Sequence, residues 1–240
     1  MNRQNKIDTN WSGTLAYLVG VIATDGNLSP DGRHINITSK DTDWLTNIRD
    51  TFKLTCKIGK KARERLGEKK YAVLQIGDKR FYNFLLNIGL TTNKSLSIAE
   101  LNVPKLYFNH FLRGCFDGDG SVTSSAHPLS KHQQLRIRLY SASSLFLSWI
   151  QKEISEQCGT KGRWIISDKR RSVKALSYGK ADSIIVLDFI YQKSSLCLER
   201  KFVIAKSFIG QVAKLVSAPA LGAGIARCEG SSPSLPTKNT

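Results

Sequence analysis

The chain is poor in several features that define whole classes of protein. Only 19 of its 240 residues are Asp or Glu, against 36 Lys and Arg, so the formal net charge is +17. This excess predicts a polyanionic partner, with nucleic acid first and an anionic membrane surface second. No apolar run approaches the roughly 20 residues of a membrane span, and the polar N-terminus is unlike a secretory signal. We therefore expect a soluble intracellular protein with no membrane partner.

The cysteines and histidines form no recognisable site. The five cysteines include no C-x-x-C pair, and an odd number scattered along apolar segments is typical of reduced thiols. The four histidines show no metal-ligand spacing. These residues therefore indicate neither a disulfide framework nor a His/Cys metal site.

What the chain does contain is a pattern that occurs twice. The run Leu18-Val-Gly-Val-Ile-Ala-Thr-Asp25-Gly26 has a near copy in Leu112-Arg-Gly-Cys-Phe-Asp-Gly-Asp119-Gly120. Each is rich in apolar and small residues and ends in Asp-Gly. The spacing predicts two similar helices, each with a carboxylate at its end and a glycine suited to the turn that follows.

The small residues of the two runs recur four apart, which is one helical turn. Gly20 and Thr24 form such a stripe in the first run, and Gly114 and Gly118 form one in the second. Small residues let two helix backbones approach closely, so crossing helices would bring their terminal aspartates together. Two adjacent carboxylates repel unless a cation neutralises them, and hard oxygen ligands with open water positions suit Mg²⁺.

The segments downstream of each copy repeat in the same order. Alternating strand patterns at 33–38 and 135–140 are each followed by a serine and an amphipathic helix pattern, then by a basic hairpin and a second amphipathic helix. The order in each half is therefore helix, two strands, helix, two strands, helix. The second copy carries about eight extra residues, which we place in a polar loop from Thr123 to Lys131.

This repeat divides the chain into two halves and a tail. We place the N-terminal half at 1–99, a linker at 100–104, the C-terminal half at 105–209 and a tail at 210–240. The tail is rich in Pro, Gly and Ser, and it is expected to be disordered. Its Gly230-Ser-Ser-Pro233 is what a typical tRNA T-arm would encode, which suggests that the reading frame runs into a neighbouring tRNA gene.

Both runs resemble the motif of the LAGLIDADG homing endonucleases, and the two copies resemble the single-chain, two-motif form of that family. The resemblance covers roughly Trp11 to Phe208. It implies an α+β fold, a duplicated αββαββα unit with two antiparallel four-stranded sheets that form a DNA-binding saddle around two central motif helices. It further implies a monomer that cuts both strands of double-stranded DNA at a long specific target, as in intron homing.

The same resemblance implies a metal-dependent active site. The final acidic position of the motif corresponds to Asp25 and Asp119 as metal ligands, and the preceding carbonyls of Thr24 and Gly118 would add to the shell. The expected metal is Mg²⁺, with Mn²⁺ or Ca²⁺ able to substitute in binding. The chain departs from the motif at Ala23, where an earlier acidic position is lost, whereas Asp117 keeps it in the second half.

Basic and polar residues complete the expected site. Lys94 and Lys201 occupy similar places after the second helix of each half, and Lys40 lies at a strand end beside the first motif, so these three are catalytic candidates. Strand residues that alternate with core residues can reach bases and phosphates. The expected DNA-binding residues are Arg33, Asn36, Lys57, Lys60, Arg63, Lys70 and Gln75 in one half, and Gln134, Arg136, Arg138, Lys161, Arg163, Arg170 and Lys174 in the other.

Other functions remain open at this stage. A maturase-like protein that binds its host intron RNA without cleavage is the main alternative, although RNA binding alone does not require both aspartates. A transcription regulator built on the same fold would need a helix-turn-helix module, and no segment is large enough for one. An intein is disfavoured because no splicing-domain cysteine block flanks the motifs. The expected location is a bacterial cytoplasm or an organelle matrix or stroma.

Overall fold

A computed structural model of the chain describes residues 7–61, 71–127, 130–166, 173–192 and 196–209. The expected tail and the candidate DNA-binding residues Arg63, Lys70 and Arg170 lie outside the described residues. Among the helices of the described ranges, none has the length and apolar character to cross a membrane.

The first half follows the predicted order of elements. Its helices and strands are α1 (Gly13–Asp25), β1 (Gly26–Leu28), β2 (His34–Ser39), α2 (Thr42–Thr51), β3 (Ile58–Lys61), β4 (Tyr71–Gly77), α3 (Lys79–Asn87) and the short α4 (Lys94–Ser97). The hydroxyl of Ser12 caps α1 by accepting from the Leu15 amide, and the Asp78 carboxylate caps α3 in the same way.

The second half repeats this order after a short 3-10 helix at Lys105–Tyr107. Its elements are α5 (Phe108–Asp119), β5 (Gly120–His127), β6 (Ser130–Ser141), α6 (Ser144–Cys158), β7 (Arg163–Ile166), β8 (Lys174–Tyr178), α7 (Lys180–Tyr191) and α8 (Glu199–Ile209). The predicted duplicated αββαββα architecture is therefore confirmed. The sequence patterns had not indicated α4 and α8, which follow the two copies of that unit.

Each half builds one antiparallel four-stranded sheet. The strand orders are β1-β2-β4-β3 and β5-β6-β8-β7, and every neighbouring pair is antiparallel. Ser39, the last residue of β2, pairs with Ala72, and Ser141, the last residue of β6, pairs with Lys174. Equivalent positions on β2 and β6, and on β4 and β8, therefore differ by 102 in residue number.

Alternation along the strands separates a core face from an open face. Ile35 and Ile37 of β2 and Leu74 and Ile76 of β4 are buried, as the period-two pattern predicts for one covered face. Leu135, Ile137 and Leu139 do the same in β6. We call the opposite side of each sheet its open face.

The centre of the molecule is the crossing of α1 and α5, which glycine makes possible. A Cβ added at Gly20 would lie 2.1 Å from the carbonyl oxygen of Phe111, and one added at Gly114 would lie 2.1 Å from that of Tyr17. The two backbones therefore touch directly, as the small-residue stripes predicted.

Two local expectations need correction. The segment 123–131 was expected to be a loop, but its described residues belong mainly to β5 and β6, which form a long hairpin. The hairpin extends beyond the core, so its polar side chains show no alternation that could reveal strands. Gly26 and Gly120 end their helices in an extended conformation with negative φ. Glycine is needed there because a Cβ would collide with the preceding helical turn.

Candidate active site

Asp25 and Asp119 are the last residues of the two crossing helices, α1 and α5. The strands β1 and β5 start directly after them, so the aspartates lie where both sheets begin. A Cβ built on Gly118 would lie 3.4 Å from Oδ2 of Asp25, which shows how closely the Asp25 carboxylate approaches the end of the opposite helix. The structure thus brings together the two ends that the sequence singled out.

The surroundings of both carboxylates oppose their ionisation. Burial, together with the negative charge of Asp119, raises the pKa of Asp25 from 3.8 to about 6, against the opposing effect of Lys201 and Lys94. Solvent reaches Asp119 on one side, yet desolvation by the surrounding protein also raises its pKa. Two carboxylates in this state are a favourable environment for an added cation.

Lys94, on the short helix α4, reaches this point from the first half. Its side chain is buried, and its ammonium donates a hydrogen bond to the carbonyl oxygen of Gly26, just beyond the end of α1. Burial lowers the pKa of Lys94, whereas the charges of Asp119 and Asp25 oppose that change. Its ammonium therefore sits at the end of α1 within the electrostatic field of both aspartates.

Lys201, on α8, reaches the corresponding point in the second half but bonds differently. Only 3% of the residue is exposed, and its ammonium donates to the carbonyls of Phe116 at 2.7 Å, Asp117 at 2.7 Å and Gly118 at 3.2 Å. A lysine ammonium has three hydrogens, so all three have backbone acceptors here. Burial lowers the pKa of Lys201 to about 8. This lysine closes the open carbonyl end of α5.

Asp117 has a core role that the sequence did not reveal. It is 1% exposed and accepts hydrogen bonds of 2.8 Å from the hydroxyls of Tyr17 and Tyr191 and from the amide of Leu198. The Tyr17 hydroxyl in turn accepts from the Trp44 indole at 2.8 Å. Asp117 therefore connects α1, α2, α7 and the start of α8, the helix that carries Lys201.

A cavity of about 650 Å³ opens beside Asp25 on the side of the first sheet. Lys40 lines it, with its ammonium 5.5 Å from the ring centre of Tyr71. Arg200 and Asp41 line it as well, and Arg200 Nε donates to both carboxylate oxygens of Asp41 at 3.3 Å. Sequence reasoning missed this ion pair between the halves, although Arg200 directly precedes the candidate Lys201.

The donor atoms at the helix ends fit a hard divalent cation better than a softer one. Within the described ranges, no group of three or more His, Cys, Asp or Glu side chains could hold a metal ion. A metal would instead take the carboxylates of Asp25 and Asp119, with the Thr24 carbonyl as an expected further donor. The Gly118 carbonyl, the other expected donor, accepts a hydrogen bond from Lys201 at 3.2 Å. All of these are oxygens, which Mg²⁺, Mn²⁺ and Ca²⁺ accept together with water or phosphate.

Most of the predicted DNA-binding residues lie on the open faces of the sheets or at their ends. The strand pairing places Asn36, Gln75, Gln134, Arg136, Arg138 and Arg163 on the open faces. Arg33, Lys57 and Lys161 are at least partly exposed and lie just before β2, β3 and β7. These nine residues form two polar surfaces, one on each sheet.

Two of the predicted residues lie on the other side of their sheets. Lys60 pairs with buried Ala72, and Lys174 pairs with Ser141 and donates to the Ser144 hydroxyl at the start of α6. Both positions share the core face with Ile58 or Leu176. The register of their strands places both on the core face, although Lys60 is exposed, and their contact with DNA stays a prediction.

Comparisons with known proteins bear on the fold. No family sequence model matches the chain, and no curated protein sequence matches it. The homing endonuclease I-WcaI bound to its DNA recognition sequence aligns with a TM-score of 0.60 and 13% identity, over 84% of this chain and 89% of that one. I-DmoI in complex with DNA and Mn aligns with a TM-score of 0.52 and 18% identity, over 77% and 99%. The N-terminal LAGLIDADG domain of WhiA aligns with a TM-score of 0.53 and 16% identity, over 80% and 89%.

These structural likenesses, together with the helix crossing, confirm the LAGLIDADG resemblance at the level of the fold. The chain has the LAGLIDADG endonuclease fold. Within that fold it carries both motif helices, α1 and α5, on a single polypeptide.

Proposed function

We propose that this protein is a site-specific, metal-dependent DNA endonuclease that cuts both strands of a long target. The observation that carries the proposal is the convergence of Asp25 and Asp119 at the ends of two directly touching helices, between two sheets with polar open faces. The likeness to I-WcaI and I-DmoI, which are described with bound DNA, supports it. The fold by itself does not carry the proposal of cleavage, because the WhiA domain, which is described as a LAGLIDADG domain and not as an endonuclease, shares it.

In this proposal the residues divide the chemistry among them. Asp25 and Asp119 hold a divalent cation, which would supply activated water and neutralise charge on the phosphate. Lys40 and Arg200 line the cavity beside Asp25 and offer positive charge to a phosphodiester. Lys94 and Lys201 hold the helix ends through their carbonyl contacts. Because a single chain supplies both aspartates, we expect a monomer to be sufficient.

The test is cleavage of a genomic or randomised DNA library with Mg²⁺ by the wild type and by an Asp25→Asn, Asp119→Asn double variant. The matched control is Asp43→Asn, Asp50→Asn, which removes two exposed carboxylates from α2 and changes the net charge equally. The wild type and the control are expected to produce site-specific double-strand breaks. The active-site variant is expected to lose at least 1,000-fold in rate, a loss of about 4 kcal/mol of barrier stabilisation.

Binding of the same proteins to duplex DNA and to structured intron RNA, measured beside cleavage, separates the alternatives. Specific DNA binding by wild type and double variant alike, with cleavage by the wild type only, supports the endonuclease. Specific binding without cleavage by either protein would overturn the proposal and favour a DNA-binding regulator. Preference for structured intron RNA over duplex DNA would favour a maturase-like function.

A further inference from the structure

The open face of the first sheet carries a row of three carboxamides across three strands. Asn27 of β1 pairs with Asn36 of β2, which pairs with Gln75 of β4. Directly opposed residues in antiparallel strands point to the same face, so the three amides lie side by side. We call them the amide row.

The equivalent row of the second sheet has different chemistry. Ser121 of β5 pairs with Arg138 of β6, Arg138 pairs with Ser177 of β8, and Ser177 pairs with Arg163 of β7. Arg136 lies two residues from Arg138 on the same face, opposite Thr123. We call Arg136, Arg138 and Arg163 the arginine group.

The polar groups of both rows are available to a ligand. Asn27 and Gln75 are exposed. Asn36 donates one amide hydrogen to the Ser29 hydroxyl at 3.1 Å, which leaves its carbonyl and its second N–H for another partner. Arg136 and Arg163 are exposed, and Arg138 is partly exposed, although its Nε atom is buried.

The two rows lie at matched distances from the candidate active site. Asn27, in the amide row, is two residues from Asp25, and Ser121, opposite Arg138, is two residues from Asp119. Two residues of strand span about 7 Å, which is about two base pairs of duplex. The rows would therefore address base pairs at similar distances on either side of the cleavage centre.

We propose that the two half-sites of the DNA target differ in base composition at these matched positions, with A·T pairs read by the amide row and G·C pairs read by the arginine group. The chemical reason is that Asn and Gln make two hydrogen bonds to the N6 and N7 of adenine. Arginine makes two hydrogen bonds to the O6 and N7 of guanine. This inference rests on the proposed function, because it assumes that the open faces contact a DNA major groove.

The experiment is a binding selection from a library of long randomised duplexes, made with Ca²⁺ so that cleavage is not required. The wild type is expected to enrich A·T pairs in one half-site and G·C pairs in the other, at the same distance from the centre. The exchanges Asn36→Arg and Arg138→Asn are expected to change preference by about 10-fold at one position each, from A to G and from G to A respectively. Lys60→Gln and Lys174→Gln, on the core faces, serve as controls that should leave base preference unchanged.

The outcomes distinguish this inference from the proposed function. Specific binding or cleavage of a target whose half-sites show no such difference would overturn the inference and leave the endonuclease intact. An unchanged base preference in both exchange variants would overturn it as well. Binding with the expected half-sites, but without cleavage in Mg²⁺, would support the inference and remove the endonuclease. Failure to bind any duplex specifically would overturn both.

Discussion

The two halves of the molecule share their strand order but differ in their polar interior. The C-terminal half has Asp117 in its motif helix, where three hydrogen bonds join it to Tyr17, Tyr191 and Leu198. The equivalent position of the N-terminal half is Ala23, which packs in the core. Lys201 bonds three carbonyls, whereas Lys94 bonds one.

This difference separates what the repeat requires from what each copy can vary. The glycine crossing and the terminal aspartates occur in both halves, because the two helices must touch and present their ends together. The buried hydrogen-bond network centres on Asp117 of the C-terminal half, yet through Tyr17 it also holds the opposite motif helix. We infer that the C-terminal half anchors the centre of the protein and that the N-terminal half packs against it.

The largest expected effect comes from removing this network. Asp117→Leu leaves two tyrosine hydroxyls and one backbone amide without their acceptor, so the free energy of unfolding should fall by about 4 to 5 kcal/mol. The equivalent Ala23→Ser should cost about 1 kcal/mol or less, since a small side chain at a helical position meets no network. Urea unfolding at neutral pH measures both. Similar losses at the two positions would refute the asymmetry.

The glycine crossing provides a test in which the halves should behave alike. Gly20→Ala and Gly114→Ala each place a Cβ 2.1 Å from a backbone oxygen that cannot rotate away. Each change should destabilise by about 3 kcal/mol. Gly59→Ala is the control, because its Cβ would meet its nearest neighbour at 3.7 Å. Chemical denaturation compares the three. A loss at Gly59 as large as at the crossing would contradict the interpretation.

The two lysines should be unequal in stability. Lys201→Met also removes the desolvation penalty of a buried charge, but it removes three hydrogen bonds from the carbonyl end of α5 and should still cost about 2 kcal/mol. Lys94→Met removes one hydrogen bond together with the desolvation penalty of a buried charge, so its net effect should stay within about 1 kcal/mol. Thermal and urea unfolding without divalent metal measure the difference. If Lys94→Met were the more destabilising variant, the proposed division of roles would be wrong.

The smallest expected effect is the pH dependence of Asp25. The pKa of Asp25 is about 6 in the folded protein and 3.8 in its ordinary state. Between these two pH values the folded protein therefore retains a proton that the unfolded chain has released. Stability therefore falls as pH rises through this range. Asp25→Asn should stabilise the metal-free protein by about 1 kcal/mol at pH 7.5, after allowance for solvent screening, and should have no such benefit at pH 4.

Asp119 supplies the comparison for this prediction. It is exposed, so Asp119→Asn should give a smaller gain than Asp25→Asn at the same pH. Unfolding curves at several pH values in a chelating buffer would show the difference. A gain that is equal at pH 4 and pH 7.5 would exclude ionisation as its cause.

Much of the fold could be predicted because its signals are local and periodic. The alternation of Ile35 and Ile37 with polar neighbours marked β2, and the four-residue spacing of Gly114 and Gly118 marked a helix that could approach another. The occurrence of two such helices with the same downstream order indicated a duplicated fold. The four-residue helix α4 is too short to show any periodicity, and it was missed.

The site could be predicted only as far as single residues at helix ends. Asp25 and Asp119 follow directly from the repeat. The core-facing positions of Lys60 and Lys174 depend on strand register, which the basic character of those segments does not reveal. The contact between Arg200 and Asp41 joins residues 159 positions apart, and no local pattern relates them.

The sequence by itself determined that two similar helices exist, that each ends in an aspartate, and that small residues let them approach. These properties are set by residue type and spacing along a few helical turns. Only the tertiary structure decided that Lys201 closes the end of α5, that Asp117 is the centre of a buried network, and which polar side chains share an open face. Those outcomes depend on the crossing of helices that are distant in sequence and on the register between strands, because the packing of the whole chain determines which partners a side chain contacts.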